Sequence, residues 1–162
     1  MRRRLALAAT LLLGMPASAQ TARPVLDYAS AAKIRDTCLD YARAHNLKVA
    51  VFVLENHGMA VTLAHMDGVS MGVGEIALWK ATSAAKYGRA TADTAALNPP
   101  ANMPSVATIM GGVPIYSADG TLLGGVGTSG GKPADDAACG TAGIEAAGLK
   151  AAKPVPAASQ TQ

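Results

Sequence analysis

The stretch that decides the fold is GGVPIYSADGTLLGGVGTSGG, Gly111 to Gly131. Gly112 to Ser117 is apolar and β-prone, and Pro114 marks that segment as an edge strand or a strand start. Ala118-Asp119-Gly120 supplies a tight turn, because Asp-Gly is a strong hairpin signal. Thr121-Leu122-Leu123 begins a return strand. Gly124, Gly125, Gly127, Gly130 and Gly131 then form a glycine-rich exit, where the backbone packs or bends in places a Cβ would not fit. A helix is expected to follow from about Ala134 to Leu149, with Asp135 and Asp136 in its first turn complementing the helix dipole.

Working outward, the chain repeats this pattern upstream. Asp27 is a good N-cap for a helix running to about Ala44. Ala31, Ile34, Cys38, Tyr41 and Ala42 fall on one stripe of that helix, and His45 and Asn46 close it. Val49 to Leu54 is a continuous apolar run of strand length, so both of its faces are expected to be covered. Glu55-Asn56-His57-Gly58 turns the chain, with His57 solvated at the tip, and Met59 to Met66 returns. Met71 to Tyr87 reads as a second helix, rich in Ala and containing the single tryptophan, Trp79. A helix with small apolar residues on more than one face is close-packed on at least two sides, one of which is expected to be another subunit. The segment Thr91 to Met110 shows no period. Long irregular segments in compact domains are commonly binding loops, and this one, with its Pro and Met residues, is the expected pocket wall. The order helix, two strands, helix, two strands, helix gives an α+β fold: an antiparallel four- to five-stranded sheet with flanking helices.

The two ends of the chain read differently. Arg2-Arg3-Arg4, the apolar run Leu5 to Leu13 and Ala17-Ser18-Ala19 have the form of a Sec-type signal peptide over residues 1–19, cleaved near Ala19/Gln20. The protein is therefore expected to be periplasmic or secreted, with no membrane span in its mature form. The formal charge of +3 comes from 14 basic and 11 acidic residues, and three of the basic ones are those arginines. Without the leader the charges balance, and no basic stripe with interleaved aromatics remains, which excludes nucleic acid as a partner. Residues 20–150 read as one domain and 151–162, rich in Pro, Ala, Ser and Gln, as a disordered tail. Cys38 and Cys139 lie about 100 residues apart, and a bond between them would constrain the unfolded chain by roughly 4–5 kcal/mol in the chain-entropy treatment. Two buried thiols on separate helices is the other reading, and the sequence leaves both open.

Several apparent motifs fail on chemistry. Gly125 to Gly130 matches G-x-G-x-x-G, but no further strand with an acidic residue follows to hold a ribose. Gly127 to Gly131 matches G-x-S-x-G around Ser129, yet no histidine follows to serve as base. Scattered His and Cys give no zinc spacing. His65 is more open to function, since a strand end beside a loop is where ligand contacts gather. Lys80, inside the Ala-rich helix, either snorkels outward or aims a cation at a carboxylate.

Taken together, these motifs resemble the GlcG/HbpS-type haem-binding family, related to the C-terminal domain of PduO-type proteins. The residues that carry the resemblance are Met66-Asp67-Gly68-Val69, then Lys80-Ala81-Thr82-Ser83-Ala84 leading to Tyr87-Gly88-Arg89-Ala90-Thr91. Gly111 to Ile115, Gly124 to Gly130 and Asp136 to Ile144 complete the set. The chain departs from the family where Glu55-Asn56-His57-Gly58 replaces an Asp-x-x-Gly turn, and where His65 replaces a basic residue, often Arg, before Met66-Asp67-Gly68. The resemblance implies a profilin-like α-β-β-α-β-β-α order, haem as cofactor, and assembly into a homo-oligomer. It suggests an exported, non-catalytic haem-binding (tetrapyrrole-binding) protein, in haem handling or redox sensing. His65 is the first candidate for the iron, with Tyr87, Met66 and Met110 behind it. Lys80 or Arg89 would meet the propionates, and Asp67, Gly111 and Gly112 complete the candidate site. Two alternatives stand beside it. One is an enzyme or accessory protein binding a small carboxylate through Lys80, Asp67 and Ser129; the other is an oligomeric interaction module.

Overall fold

A computed structural model describes residues 23–155. The expected leader (1–19) and the end of the expected tail (156–162) lie outside the described residues. Helix α1 (Tyr28–Ala44) starts at Asp27, whose carboxylate accepts from the Ser30 N–H at 2.9 Å. Strands β1 (Ala50–Glu55) and β2 (Ala60–His65) form the first hairpin. Helix α2 (Met71–Tyr87) ends on Gly88 in the left-handed conformation, and a short α3 (Thr91–Ala96) follows. Strands β3 (Gly112–Tyr116) and β4 (Leu122–Ser129) form the second hairpin, and α4 (Pro133–Ala146) closes the fold.

All four strands are antiparallel in the order β2-β1-β4-β3, so the two hairpins abut through β1 and β4. β1 is thereby central, which is why Val49 to Leu54 carries apolar side chains toward both faces. Val51 and Val53 join Ile34, Cys38, Cys139 and Ile144 in a core beneath α1 and α4, while Leu54 and half-buried Phe52 meet Ala81 and Ala85 of α2 on the other face. β3 is an edge strand, as Pro114 implied, and its end is capped by a two-bond bridge between Tyr116 and Lys150. Beyond that bridge, Lys153 and Pro154 lie beside Gly120 at the β3–β4 turn.

The glycines of the opening stretch sit inside the sheet, and β4 runs straight through the segment that reads as an exit. Their role is to let α2 lie almost backbone-to-backbone on the strands. A Cβ at Gly125 would stand 2.5 Å from the Ala85 nitrogen, and one at Gly112 2.5 Å from the Lys80 carbonyl. At Gly127 it would fall inside the van der Waals radius of the Ala77 carbonyl oxygen. Ala77, Ala81, Ala84 and Ala85 supply the matching small residues on the helix, and all are buried. The Ala-rich helix is thus close-packed against its own chain's sheet on this side.

One expectation changes and one open question is decided. The segment from Thr91 holds a helical turn, α3, which six residues without a side-chain cap could not announce by periodicity. Thr91 is itself buried, its hydroxyl accepting from the Gly112 N–H at 3.0 Å. Cys38 and Cys139 are joined by a disulfide that ties α1 to α4 through the core, which decides between the two readings of the thiols.

Two stability tests follow from this packing. Gly127→Ala should cost about 3 kcal/mol or more, because a carbonyl of α2 must be pushed off the sheet. Gly72→Ala, where an added Cβ meets nothing within 4 Å, should be neutral or stabilising by up to ~1 kcal/mol. Urea denaturation of the two variants in parallel measures both. Reducing the Cys38–Cys139 bond, or replacing both cysteines by Ala, should lower stability by roughly 2–5 kcal/mol in the same assay.

Candidate functional site

The nine candidate residues are dispersed over three regions of the molecule. His65, Met66 and Asp67 lie where β2, an edge strand, runs out. Lys80, Gly111 and Gly112 are interior. Tyr87 and Arg89 are at the far end of α2, and exposed Met110 precedes β3 on the opposite edge. Counted across the strand partners, His65 faces Ala50, Ala50 faces Ser129, and Gly111 bonds Thr128 beyond. His65 and Gly111 are therefore separated by three strand spacings, roughly 14–15 Å.

The interior group is a closed polar junction. Lys80 is 1% exposed, and its ammonium donates to the Thr128 carbonyl and to Asp136 Oδ2, both at 2.9 Å. Asp136 Oδ1 accepts from the Gly131 N–H at 2.9 Å. A Cβ at Gly111 would lie 2.7 Å from the Lys80 nitrogen, so glycine there leaves room for the ammonium. This pair bonds α2, the end of β4 and the start of α4 together. Lys80 does aim its cation at a carboxylate, but at the chain's own Asp136 rather than at a ligand, and its stem does not snorkel out. Nor are Lys80, Asp67 and Ser129 gathered in one pocket: Ser129 is buried at the end of β4 and Asp67 is exposed past β2.

Tyr87, half-buried, donates its hydroxyl to the Pro104 carbonyl and so pins the long connection to α2. The Ala107 N–H donates to Ser83 Oγ at 3.0 Å and pins it again. Under this connection is a cleft of about 540 Å³ between Trp79, Asn98, Pro99, Met103 and Val106. None of the candidate ligand residues lines this cleft. Arg89 is exposed near Tyr116, whose phenol is pushed up by burial and partly drawn back by the Arg89 charge.

At the end of β2, alternation separates neighbours. Met66 turns toward α1, where its sulfur accepts from the Val49 N–H at 3.4 Å. His65 turns toward α2, and its ring rests on Gly74, where an added Cβ would come within 3.1 Å of Cδ2. His65 Nε2 lies 3.3 Å from the Ser70 carbonyl. With a proton on Nε2 donated to that carbonyl, the lone pair sits on Nδ1. The imidazole borders an apolar groove of about 360 Å³ walled by Phe52, Met71, Gly74 and Leu78, with Glu75 at its rim. Phe52, Gly74 and Leu78 escaped the sequence reading. No sequence signal marks them; the observed pairing puts Leu63 opposite Phe52 at the margin of the face that α2 covers.

A family model described as haem degrading protein, HbpS-like, matches residues 26–145. The chain belongs to the HbpS-like family. Among solved structures, the PduOC:heme complex is similar at a TM-score of 0.73 and 22% identity, covering 80% of this chain and 100% of that one. A Streptomyces reticuli HbpS double mutant gives 0.74 and 22%, covering 85% and 97%. The Klebsiella pneumoniae protein ORFY gives 0.73 and 20%, covering 83% and 98%. These likenesses fix the fold of this HbpS-like chain as one they share. No curated protein sequence matches it at a significant level.

The buried pair generates its own test. Lys80→Met should destabilise by roughly 3–5 kcal/mol, because Asp136 is left buried without its cation. The double variant Lys80→Met, Asp136→Leu should cost clearly less than the sum of the two single changes. Chemical denaturation of the four proteins in a double-mutant cycle measures the difference.

Proposed function

We infer that this HbpS-like protein is an exported haem-binding protein, with haem held in the groove at His65. The observation that carries the reading is the imidazole itself: an exposed ring at hydrogen-bond distance from the Ser70 carbonyl and lying over Gly74, with apolar Phe52, Met71 and Leu78 beside it. A metal-binding histidine commonly gives its second ring N–H to a backbone carbonyl, which fixes tautomer and orientation. A groove of about 360 Å³ is within the range of small-molecule sites, roughly 300–1,000 Å³. An imidazole beside an open apolar wall supports a haem laid against the groove with one face covered rather than enclosed. Bound haem supplies an iron centre whose potential depends on its axial ligand and surroundings. The chain's own part would be to present the imidazole, oriented by the Ser70 carbonyl, and to cover one face of the group with Phe52, Met71 and Leu78.

Export is supported by the leader residues and by the Cys38–Cys139 disulfide, since such bonds persist in oxidising compartments. Among the described residues, no helix is long and apolar enough to cross a membrane. A homo-oligomer belongs to the same proposal. Leu63, Met71 and Leu78 are 49%, 77% and 40% exposed around the groove, and a second copy of the chain would cover them. The role is storage, transfer or redox sensing of haem without turnover by this protein.

The decisive measurement is a haem titration followed through the Soret band, with light scattering before and after loading. His65→Ala should shift the band and weaken binding by about tenfold or more. A mutant spectrum identical to the parent's removes His65 from the site, and no uptake by the parent removes haem. Progressive bleaching in the presence of a reductant would replace the non-catalytic role with the haem degradation named in the family's description.

A further inference from the structure

A second cleft, of about 490 Å³, opens on the α1 side of β2, and His65 borders it too. Its floor is apolar: Leu39 from α1, Ala64 from β2 and the stem of Met66. Met66 is fixed there by the bond from the Val49 N–H to its sulfur, so the floor is preformed. Two cations stand over this floor, Arg43 from the last turn of α1 and Lys48 from the segment entering β1.

Lys48 is the less ordinary of the two. Among the described residues its ammonium has no carboxylate within 4.0 Å, and it hangs over the Met66-Asp67-Gly68 turn. A Cβ at Gly68 would meet its Nζ at 3.4 Å, and Gly68 holds a φ of +80°. Arg43 is paired with Asp40 at 2.7 Å, but that pair is exposed on both sides. Exposed pairs are worth about 0–1 kcal/mol, so a better-placed anion can draw the guanidinium away. Asp67 is the one carboxylate in the lining, which leaves the cleft with two positive groups against one negative.

Preformed apolar floor, positive rim and an ammonium without a carboxylate partner among the described residues describe the receptor for one chemical type. We propose that this cleft binds a carboxylate carried on an apolar body, with Lys48 and Arg43 taking the carboxylate and Leu39, Ala64 and Met66 taking the body. The carboxylate has two possible sources. One is a haem propionate, reaching the cleft where it adjoins the groove at His65; that arm rests on the function proposed above. The other is a free amphipathic acid, which needs no haem at all.

The test uses the full-length protein, the double variant Lys48→Gln, Arg43→Gln, and three probes: haem, haem dimethyl ester and decanoate. Both substitutions are at exposed positions, and a circular-dichroism melt checks that the fold is kept. If propionate is the source, the parent binds haem about tenfold more tightly than the ester, and the double variant loses that preference while its affinity for the ester is unchanged. If a free acid is the source, decanoate shifts the methyl NMR signals of Leu39, Ala64 and Met66 in the parent and not in the double variant. That result stands even where haem fails to bind, so failure of the haem reading is told apart from failure of this one. The proposal is overturned if decanoate perturbs none of those signals and haem and its ester bind the parent equally or not at all. It is also overturned if the double variant keeps every preference of the parent.

Discussion

The contact on which the rest depends is the backbone-to-backbone approach of α2 to β4 and β3. Gly112, Gly125 and Gly127 present bare backbone to the carbonyls and amides of Lys80, Ala77, Ala81 and Ala85. Small residues on both sides bring the two elements closer than side-chain packing allows, and a contact that close has no slack. It fixes where α2 crosses the sheet. Ala77 and Ala81 are over β4, Gly74 is against His65 at the β2 end, and Gly88 is against Tyr116 at the β3 end. The opposite face is built on the other plan, with Val51, Val53, Val126, Ile34 and Ile144 interlocked beneath α1 and α4 and the disulfide joining the two helices.

A close-packed helix leaves little room for charge, yet Lys80 is in the middle of it. Its ammonium is tolerated because three acceptable partners converge: a strand-end carbonyl, a carboxylate at the first turn of α4, and the space that Gly111 leaves. Buried ion pairs of this kind add little net stability compared with apolar packing, and their cost appears when one partner is lost. Here the ammonium and carboxylate together bond α2, the end of β4 and the start of α4 at one point.

The element order was legible because periodicity, turn chemistry and capping agreed. Asp27 before an amphipathic stripe, an apolar run before Asn56-His57-Gly58, and Asp119-Gly120 between two β-prone segments all point one way. The glycines were legible as places where a Cβ would not fit, but their neighbour was not. An exit loop and a strand under a close helix make the same demand on residue type. Lys80 posed the same difficulty, since a lone lysine in an Ala-rich helix carries no sign of the aspartate some fifty residues downstream that neutralises it. At the candidate site, His65 stood out by position alone. Phe52, Gly74 and Leu78 did not, because each is an unremarkable residue of its own element and they form a wall only after pairing and docking. Arg43 was absorbed by the polar face of α1, and Lys48 belongs to no periodic element at all.

The same constraint that closes one part of the α2 face opens another. Because α2 is drawn down over β4 by the glycines, it cannot also cover β2, whose residues stay three strands away from β3 at the sheet's free edge. The row Leu63, Phe52, Gly127, Gly112 runs from exposed side chain to naked backbone across a single face. The glycine end of the row is buried, and Leu63 at the other end is about half exposed. A groove in such a place is framed by a strand and a helix, both anchored by contacts elsewhere, so a ligand there meets a surface already held in shape. It also leaves apolar area, at Leu63, Met71 and Leu78, open to water. The long connection after α2, the usual place to look for a binding wall, is by contrast tied back through Tyr87 and Ser83 and forms a separate cleft with Trp79. Position at the free edge, rather than membership of an irregular loop, is what makes His65 reachable.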